Sequence, residues 1–186
     1  MHVCIDRYKL IAAAALITEN EIAPNIEFRS AREPDAELIR DAVTAVAHEK
    51  WYLATVEGWS LDDTRAFLKH ISEGDLPQLT AFADNVVVGF CDIVPNAAVG
   101  FKHVGRLGMG VRSEWRRQGI GRRLLETCLA HGKRSGLEKV ELEVYSDNVG
   151  AVGLYEAFGF KREGVRVRGR KFANRYQDII LMALWL

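Results

Sequence analysis

The sequence predicts an α/β chain in which a mixed central sheet of about seven strands is flanked by about four helices. Three observations predict it. Apolar residues recur at helical spacing in two stretches before residue 75 and then change to short β-rich runs from residue 79. Strand and helix patterns interleave after that point, giving the order β-α-α-β-β-β-α-β-α-β-β, and such an order packs as a sheet with helices on its faces. Finally, residues 104–111 read as a strand that runs into a glycine-bearing turn and a helix start.

Each element has a local reason. Ile26-Glu27-Phe28-Arg29 alternates and reads as the first strand. Pro34 suits the first turn of a helix, and Leu38, Ile39, Ala42, Val43 and Val46 share one helical face over 34–49. Ser60 with Asp63 forms a capping-box pattern ahead of the stripe Thr64, Phe67, Leu68 and Ile71, which Gly74 ends. Leu79–Ala83 and Val86–Val94 are strands joined by Asp84-Asn85, a hairpin signal. Val104–Val111 carries Gly105, Gly108 and Gly110, which mark a bulge or a close ligand approach. Ile120, Leu124, Leu125, Cys128 and Leu129 form the next helical stripe, closing at 132–136, and Lys139–Tyr145 is a strand with one buried face. Ala151, Leu154, Tyr155 and Phe158 make a short helix stopped at Gly159; Phe160–Val167 and Ile179–Trp185 are the last strands.

At 186 residues, with 48% hydrophobic and 27% charged residues, the chain fits one soluble domain over 26–186 behind an extension, 1–25. Its formal net charge of zero provides no global attraction to nucleic acid or a membrane. Basic residues cluster only locally, at 112–123 and 162–175. Cys4, Cys91 and Cys128 fit neither a metal spacing nor a disulfide framework, so a reducing, cytoplasmic setting without a metal is expected. The apolar run Leu10–Ile17 follows Arg7 and Lys9 as in a signal peptide, but it falls well short of the roughly 20 residues that span a bilayer.

The stretch from Val111 to Gly121 organises the rest. A strand, a turn and a helix N-terminus leave several backbone N–H groups pointing one way, with the positive end of the helix dipole behind them. A phosphate is the natural occupant, and Gly119 and Gly121 let the backbone come close to it. A Walker A loop would need Lys after Gly121, where Arg122 stands; a Rossmann fingerprint would need glycine at Leu124. Both fail. What remains is Arg116-x-x-Gly119-x-Gly121, followed by Asn148, Ala151, Leu154-Tyr155 and Phe158-Gly159-Phe160.

In these two segments the chain resembles the GNAT superfamily of acyl-CoA-dependent N-acetyltransferases. The element order agrees with that fold from residue 26 onward, including a bulged strand leading into the turn. Ser113 stands where many members have proline. The resemblance implies that acetyl-CoA is the donor and that Arg116, Arg117, Gln118, Gly119, Ile120, Gly121 and Arg122 hold its pyrophosphate. It implies that Met109, Gly110 and Val111 pair with the pantetheine arm and supply an N–H to the thioester oxygen, with Asn148 bonding the same arm. The alternative for Asn148 is a plain helix N-cap. It implies that Tyr155 protonates the departing thiolate, a role that a phenol titrating near 10 can fill; the alternative is a core aromatic.

The resemblance also implies a general base, which many members carry on the strand entering the cradle. Residues 103–111 contain no carboxylate. Asp92 on the neighbouring strand and Glu143 on the strand after the cradle helix are the candidates, with His103 behind them. Trp51, Tyr52 and Trp59 lie where the family walls its acceptor pocket; core packing is the other reading. Arg166-x-Arg168-x-Arg170-Lys171 reads as a solvated hairpin or as a site for an acceptor carboxylate. The tail Glu163-Gly164-Val165, with 174–178 and Met182, is similar to the branch that acetylates small amines, amino acids and phosphinothricin-like compounds. The expected reaction is direct transfer from acetyl-CoA to a primary amine in a ternary complex, with no covalent intermediate, since Cys91 and Cys128 sit in apolar contexts. The alternatives are a protein or peptide N-terminal acetyltransferase and a non-catalytic acyl-CoA sensor. A homodimer is left open.

Overall fold

The first strand is clamped to the first helix through one carboxylate. In β1 (Ile26–Arg29) the last guanidinium donates to both oxygens of Asp35 at 2.7 and 2.9 Å, and Arg32 N adds a bond at 2.8 Å. Those donors hold the Asp35 carboxyl below its ordinary range. Pro34 lies in the intervening 3-10 turn, where its missing N–H costs nothing, and α1 (Ala36–His48) follows. This computed structural model describes residues 25–49 and 52–186. The extension expected over 1–25 therefore lies, but for Asn25, outside the described residues, as does Trp51.

α2 (Leu61–Glu73) starts as expected, with Ser60 Oγ accepting from Asp63 N at 3.1 Å. β2 (Gln78–Ala83) and β3 (Val86–Pro95) turn on Asp84 and Asn85, both with positive φ, as a two-residue hairpin requires. β4 (Val104–Val111), α3 (Ile120–Arg134), β5 (Lys139–Tyr145), α4 (Val149–Ala157), β6 (Lys161–Phe172) and β7 (Arg175–Trp185) complete the chain. The strands form one seven-stranded sheet in the order β1-β2-β3-β4-β5-β7-β6, antiparallel except for the β4–β5 pair. Among the described residues the fold is the mixed sheet of seven strands with four α-helices, as the sequence predicts.

Three local expectations change. β4 keeps unbroken register with β3 from Gly105 to Val111, so the entering strand is not bulged. Its glycines instead admit neighbours: a Cβ on Gly110 would stand 2.6 Å from the Phe90 ring, and one on Gly105 2.5 Å from Ile93. On α4 the buried residues are Val152 and Tyr155, with Ala151, Leu154 and Phe158 only packed alongside. β6 continues five residues past Val167 to Phe172, and β7 begins at Arg175, joined through Ala173-Asn174, both at positive φ.

The two faces of the sheet differ. α3 and α4 cover one, burying Ile120, Leu124, Leu125, Cys128 and Val152 against Cys91, Ile93, Leu142, Val144 and Met182. Each such fully buried aliphatic side chain stabilises the fold by roughly 1.5–3 kcal/mol. α1 and α2 cover the other face only over the first strands, where Ile39, Ala42 and Leu68 pack on Phe82 and Val87.

Candidate active site

β4 and β5 pair only from Val104 to Arg106, opposite Lys139 to Glu141. Beyond Arg106 the two strands part, and β5 continues on β7 alone among its strand partners. The bonds Asn96 N to Val104 O and Arg112 N to Val88 O bracket the β3–β4 ladder. They place the even-numbered residues of β4 in its hydrogen-bonded pairs, because the pattern alternates. The main-chain groups of Leu107, Met109 and Val111 therefore face the gap. Gly110, expected to serve beside Met109 and Val111, directs its backbone to Phe90 on β3 instead.

The end of β4 leads into a 3-10 turn at Ser113–Trp115, with Ser113 in place of the family's proline, and then into α3. Arg117 and Gly119 both adopt positive φ, 64° and 83°, which bends the chain so that α3 begins at Ile120. The cap residue Gly119 has no side chain to offer, and the first helical bond is Arg123 N to Gly119 O at 3.1 Å. The N–H groups of Ile120, Gly121 and Arg122 thus precede the helical ladder, beside the open edge of β4. A helix start of this kind, on a helix of 15 residues, is suited to an anion.

The cationic side chains around it are committed differently. Arg116 donates Nε to Val111 O at 2.9 Å and both terminal nitrogens to Glu49, at 2.8 and 2.5 Å, while its guanidinium lies 4.9 Å from the Tyr52 ring. Arg116 therefore ties the turn to the end of α1. Gln118 Nε2 donates to Glu114 O at 3.1 Å within the turn. Arg122 lies over Phe158 at 5.2 Å, and among the described residues Arg117 has no ion pair. Glu49 was invisible in the sequence: it reads as the last polar residue of a helix, and its partner stands 67 positions away.

α4 abuts the start of α3, since a Cβ on Gly121 would stand 3.6 Å from Leu154. Tyr155, 6% exposed, packs on Phe160 with ring centroids 5.6 Å apart. Burial, with the Cys91 thiol nearby, pushes its phenol well above the ordinary tyrosine value, so it holds its proton. Cys91 is the register partner of Met109, so Tyr155 lies near this β3–β4 pair on the side covered by α3 and α4. Asn148 caps α4 by accepting from Ala151 N at 3.2 Å, which leaves its amide NH2 free to donate. Cys91 and Cys128 are both buried, and Cys128 Sγ donates to Cys91 O at 3.4 Å.

The other face holds the carboxylates. Asp92 pairs in register with Gly108, and its Oδ1 lies 3.4 Å from where a Cβ on Gly108 would be. Among the described residues no hydrogen bond or ion pair reaches this carboxyl. Desolvation alone pushes its pKa up to about 7. Glu143, on β5, bridges Arg106 Nη2 at 3.3 Å and Arg166 Nη1 at 2.9 Å. His103 stands in the turn before β4, at the end remote from the cradle, where its carbonyl accepts from Glu138 N and Lys139 N. Tyr52 and Trp59 are 37% and 53% exposed; Trp59 meets Phe67 edge-on at 5.3 Å. Arg166, Arg168 and Arg170 lie on β6, where Arg168 breaks the register and donates its N–H to Asp178 Oδ1 at 2.7 Å.

Among the described residues no cluster of three or more His, Cys, Asp or Glu is placed to hold a metal ion, and no helix is long and apolar enough to cross a membrane. Residues 41–160 match the profile of the Acetyltransferase (GNAT) family. Over 128 residues the chain is 34% identical to an N-alpha-acetyltransferase of Saccharolobus solfataricus, covering 63% of this chain and 74% of that protein. It is 32% identical over 115 residues to the L-amino acid N-acetyltransferase AaaT of Escherichia coli, covering 58% and 67%. A phosphinothricin acetyltransferase from Sinorhizobium meliloti, solved in complex with acetyl-CoA, superposes with a TM-score of 0.80 at 16% identity, covering 87% of this chain and 88% of that one. With a family match over most of its length, on a parted strand pair and a helix-start cradle, the chain belongs to the GNAT family and is an acetyl-CoA-dependent N-acetyltransferase.

Proposed function

We propose that the acetyl group passes from acetyl-CoA to the primary amine of a small molecule of amino-acid type, by direct attack in a ternary complex. Asp92 is the base and Tyr155 the acid. The observation that carries this reading is the unpartnered Asp92 carboxyl, with its pKa near 7, leaning over a glycine beside the parted strands.

The cradle N–H groups of Ile120, Gly121 and Arg122, with Arg117 and Arg122 nearby, hold the pyrophosphate. Met109 and Val111 pair with the pantetheine arm as an added strand would, and one of their N–H groups meets the thioester oxygen. Arg116 acts indirectly, by bonding the Val111 carbonyl and tying the turn to Glu49. Asn148 offers its amide NH2 to the same arm. An ammonium acceptor gives one proton to Asp92, and its freed lone pair forms the new C–N bond. The C–S bond breaks and the thiolate takes the Tyr155 proton; the acylated nitrogen sheds its second proton to solvent, and Tyr155 regains one from solvent, which restores the phenol. Glu143 is held by two guanidinium groups and is the poorer base.

A base on β3 removes the reason for reading the chain as a non-catalytic acyl-CoA sensor, which rested on the missing carboxylate of β4. Peptide N-terminal acetylation remains the second reading, because one relative is an N-alpha-acetyltransferase. A thiol-release screen over amino acids, polyamines and peptides, run on the parent and on Tyr155→Phe, tests the proposal. Turnover of amino acids and a kcat loss of roughly 10²-fold or more in the variant are expected. Full kcat in Tyr155→Phe removes the acid, and acetyl-CoA binding with no turnover of any amine restores the sensor.

A further inference from the structure

The side chains next to Asp92 bear on what the acceptor must carry besides its amine. Arg106 and Gly108 are two residues apart on β4, so they share a face of the sheet about 6.8 Å from each other. That face is Asp92's, since Gly108 stands opposite it in register. Gly108 presents no side chain, so nothing of its own fills the space between the Asp92 carboxyl and the Arg106 side chain.

The Arg106 guanidinium is exposed and keeps donors for a ligand. It has five N–H donors. Its side chain is 74% exposed, and among the described residues its one ion pair is the 3.3 Å contact to Glu143. Glu143 lies nearer to Arg166, at 2.9 Å, so one carboxylate serves two guanidinium groups and the trio keeps a net positive charge, while Glu141, opposite Arg106 in register, is tied to Lys139 at 2.7 Å. Among the described residues no hydrogen bond is made by the remaining Arg106 donors. The cluster would accept a second carboxylate.

We infer that Arg106 forms a carboxylate subsite for the acceptor, which makes the acceptor class the free α-amino acid. This rests on the proposed function. In an α-amino acid a single carbon separates the amine from the carboxylate. A molecule that brings its nitrogen to Asp92 therefore presents its carboxylate within reach of a long side chain two residues along the same strand. The guanidinium fork matches a carboxylate in two parallel bonds. A carboxamide at that position turns donors toward donors, and a peptide N-terminus offers only a neutral carbonyl there.

The test measures kcat/KM by thiol release from acetyl-CoA for each of the twenty L-amino acids against its own carboxamide. The proteins are the full chain, Arg106→Gln and Arg106→Lys. For accepted side chains the acid should exceed the amide by about tenfold or more, mostly in KM. The ratio should fall toward one in Arg106→Gln and lie between in Arg106→Lys, which keeps the charge without the fork. A general loss of structure lowers both substrates and leaves this ratio alone. A ratio near one in the parent, or a ratio unmoved by Arg106→Gln, overturns the subsite. Turnover of peptides with a free N-terminus but of no amino acid overturns it while acetyl transfer to amines stands. Turnover of no amine at all overturns the proposed function with it.

Discussion

Replacing Asp92 with asparagine tests the base through two independent readouts. Burial raises the carboxyl from 3.8 to about 7. That is roughly three pK units, and at 1.36 kcal/mol per unit it corresponds to at most about 4 kcal/mol of cost to ionise the group in the folded protein. Asp92 is only half-buried, so the realised figure is smaller. The sign follows from proton counting. Between pH 3.8 and about 7 the folded chain binds more protons at this site than the unfolded chain, so stability falls as pH rises through that window and levels off above it. The carboxamide of the variant cannot ionise. The stability of Asp92→Asn relative to the parent should therefore climb from pH 4 to pH 8, by up to about 4 kcal/mol, in urea unfolding. Asp35, whose shift runs the other way, is common to both proteins and cancels in the difference.

Activity supplies the second readout. In the parent, log kcat/KM should rise with pH and break near 7, where the base is half ionised. The variant should lose roughly 10²- to 10⁴-fold and show no such break. The acceptor's own ionisation is shared and drops out of the ratio of the two profiles. A break near 7 that survives in Asp92→Asn, or a stability difference independent of pH, would refute the assignment.

Three further outcomes follow from the geometry. Gly119→Ala places a Cβ at φ 83°, in open space, so thermal unfolding should show a loss of about 1–2 kcal/mol without a packing clash, and KM for acetyl-CoA should rise. Glu49→Gln takes the charge from the bidentate partner of Arg116 and loosens the turn; KM for acetyl-CoA should rise several-fold with kcat less affected, and an unchanged KM would mean that the tie does not position the cradle. Asp92→Ala with Gly108→Asp moves the carboxyl onto β4 at nearly the same place, because the Gly108 Cβ position is 3.4 Å from Asp92 Oδ1. The double variant should recover at least about tenfold of the activity lost in Asp92→Ala, read as kcat/KM at pH 8.

What the sequence disclosed is what local physics decides. The stripe Ile120, Leu124, Leu125, Cys128 and Leu129 is the buried face of α3, because every other position there is polar or small. Asp84-Asn85 announces its hairpin because few residue pairs tolerate two positive φ values. α4 was harder: Val149–Ala157 is apolar nearly all round, so periodicity could not single out Val152 over Ala151. β6 is exposed over most of its length, so it lacks the alternation that would have shown its end at Phe172. The arginines illustrate the deeper limit. Arg116 belongs to the motif by sequence, yet its guanidinium is committed to Glu49, a partner that only the tertiary fold supplies. Asp92 could be nominated from its strand, but its value as a base depends on having no partner and on Gly108 opposite, which only the β3–β4 register reveals.

That register also explains how one short strand pair can serve both ends of the reaction. Consecutive residues of a strand point to opposite faces. Cys91 therefore faces α3 and α4, where Tyr155 lies, while Asp92 faces the opposite side, from which the proposed acceptor would enter. Burial raises both groups, but from different starting values: the phenol stays protonated and the carboxyl is poised to ionise near neutrality. In the proposed mechanism the proton leaving the amine and the proton reaching the thiolate thus use different groups on opposite faces of β3. Asp92 must then return its proton to solvent through the open face, not through Tyr155. Gly108, opposite Asp92, adds no side chain to that face, whereas the Cβ positions of Gly105 and Gly110 are filled by Ile93 and Phe90.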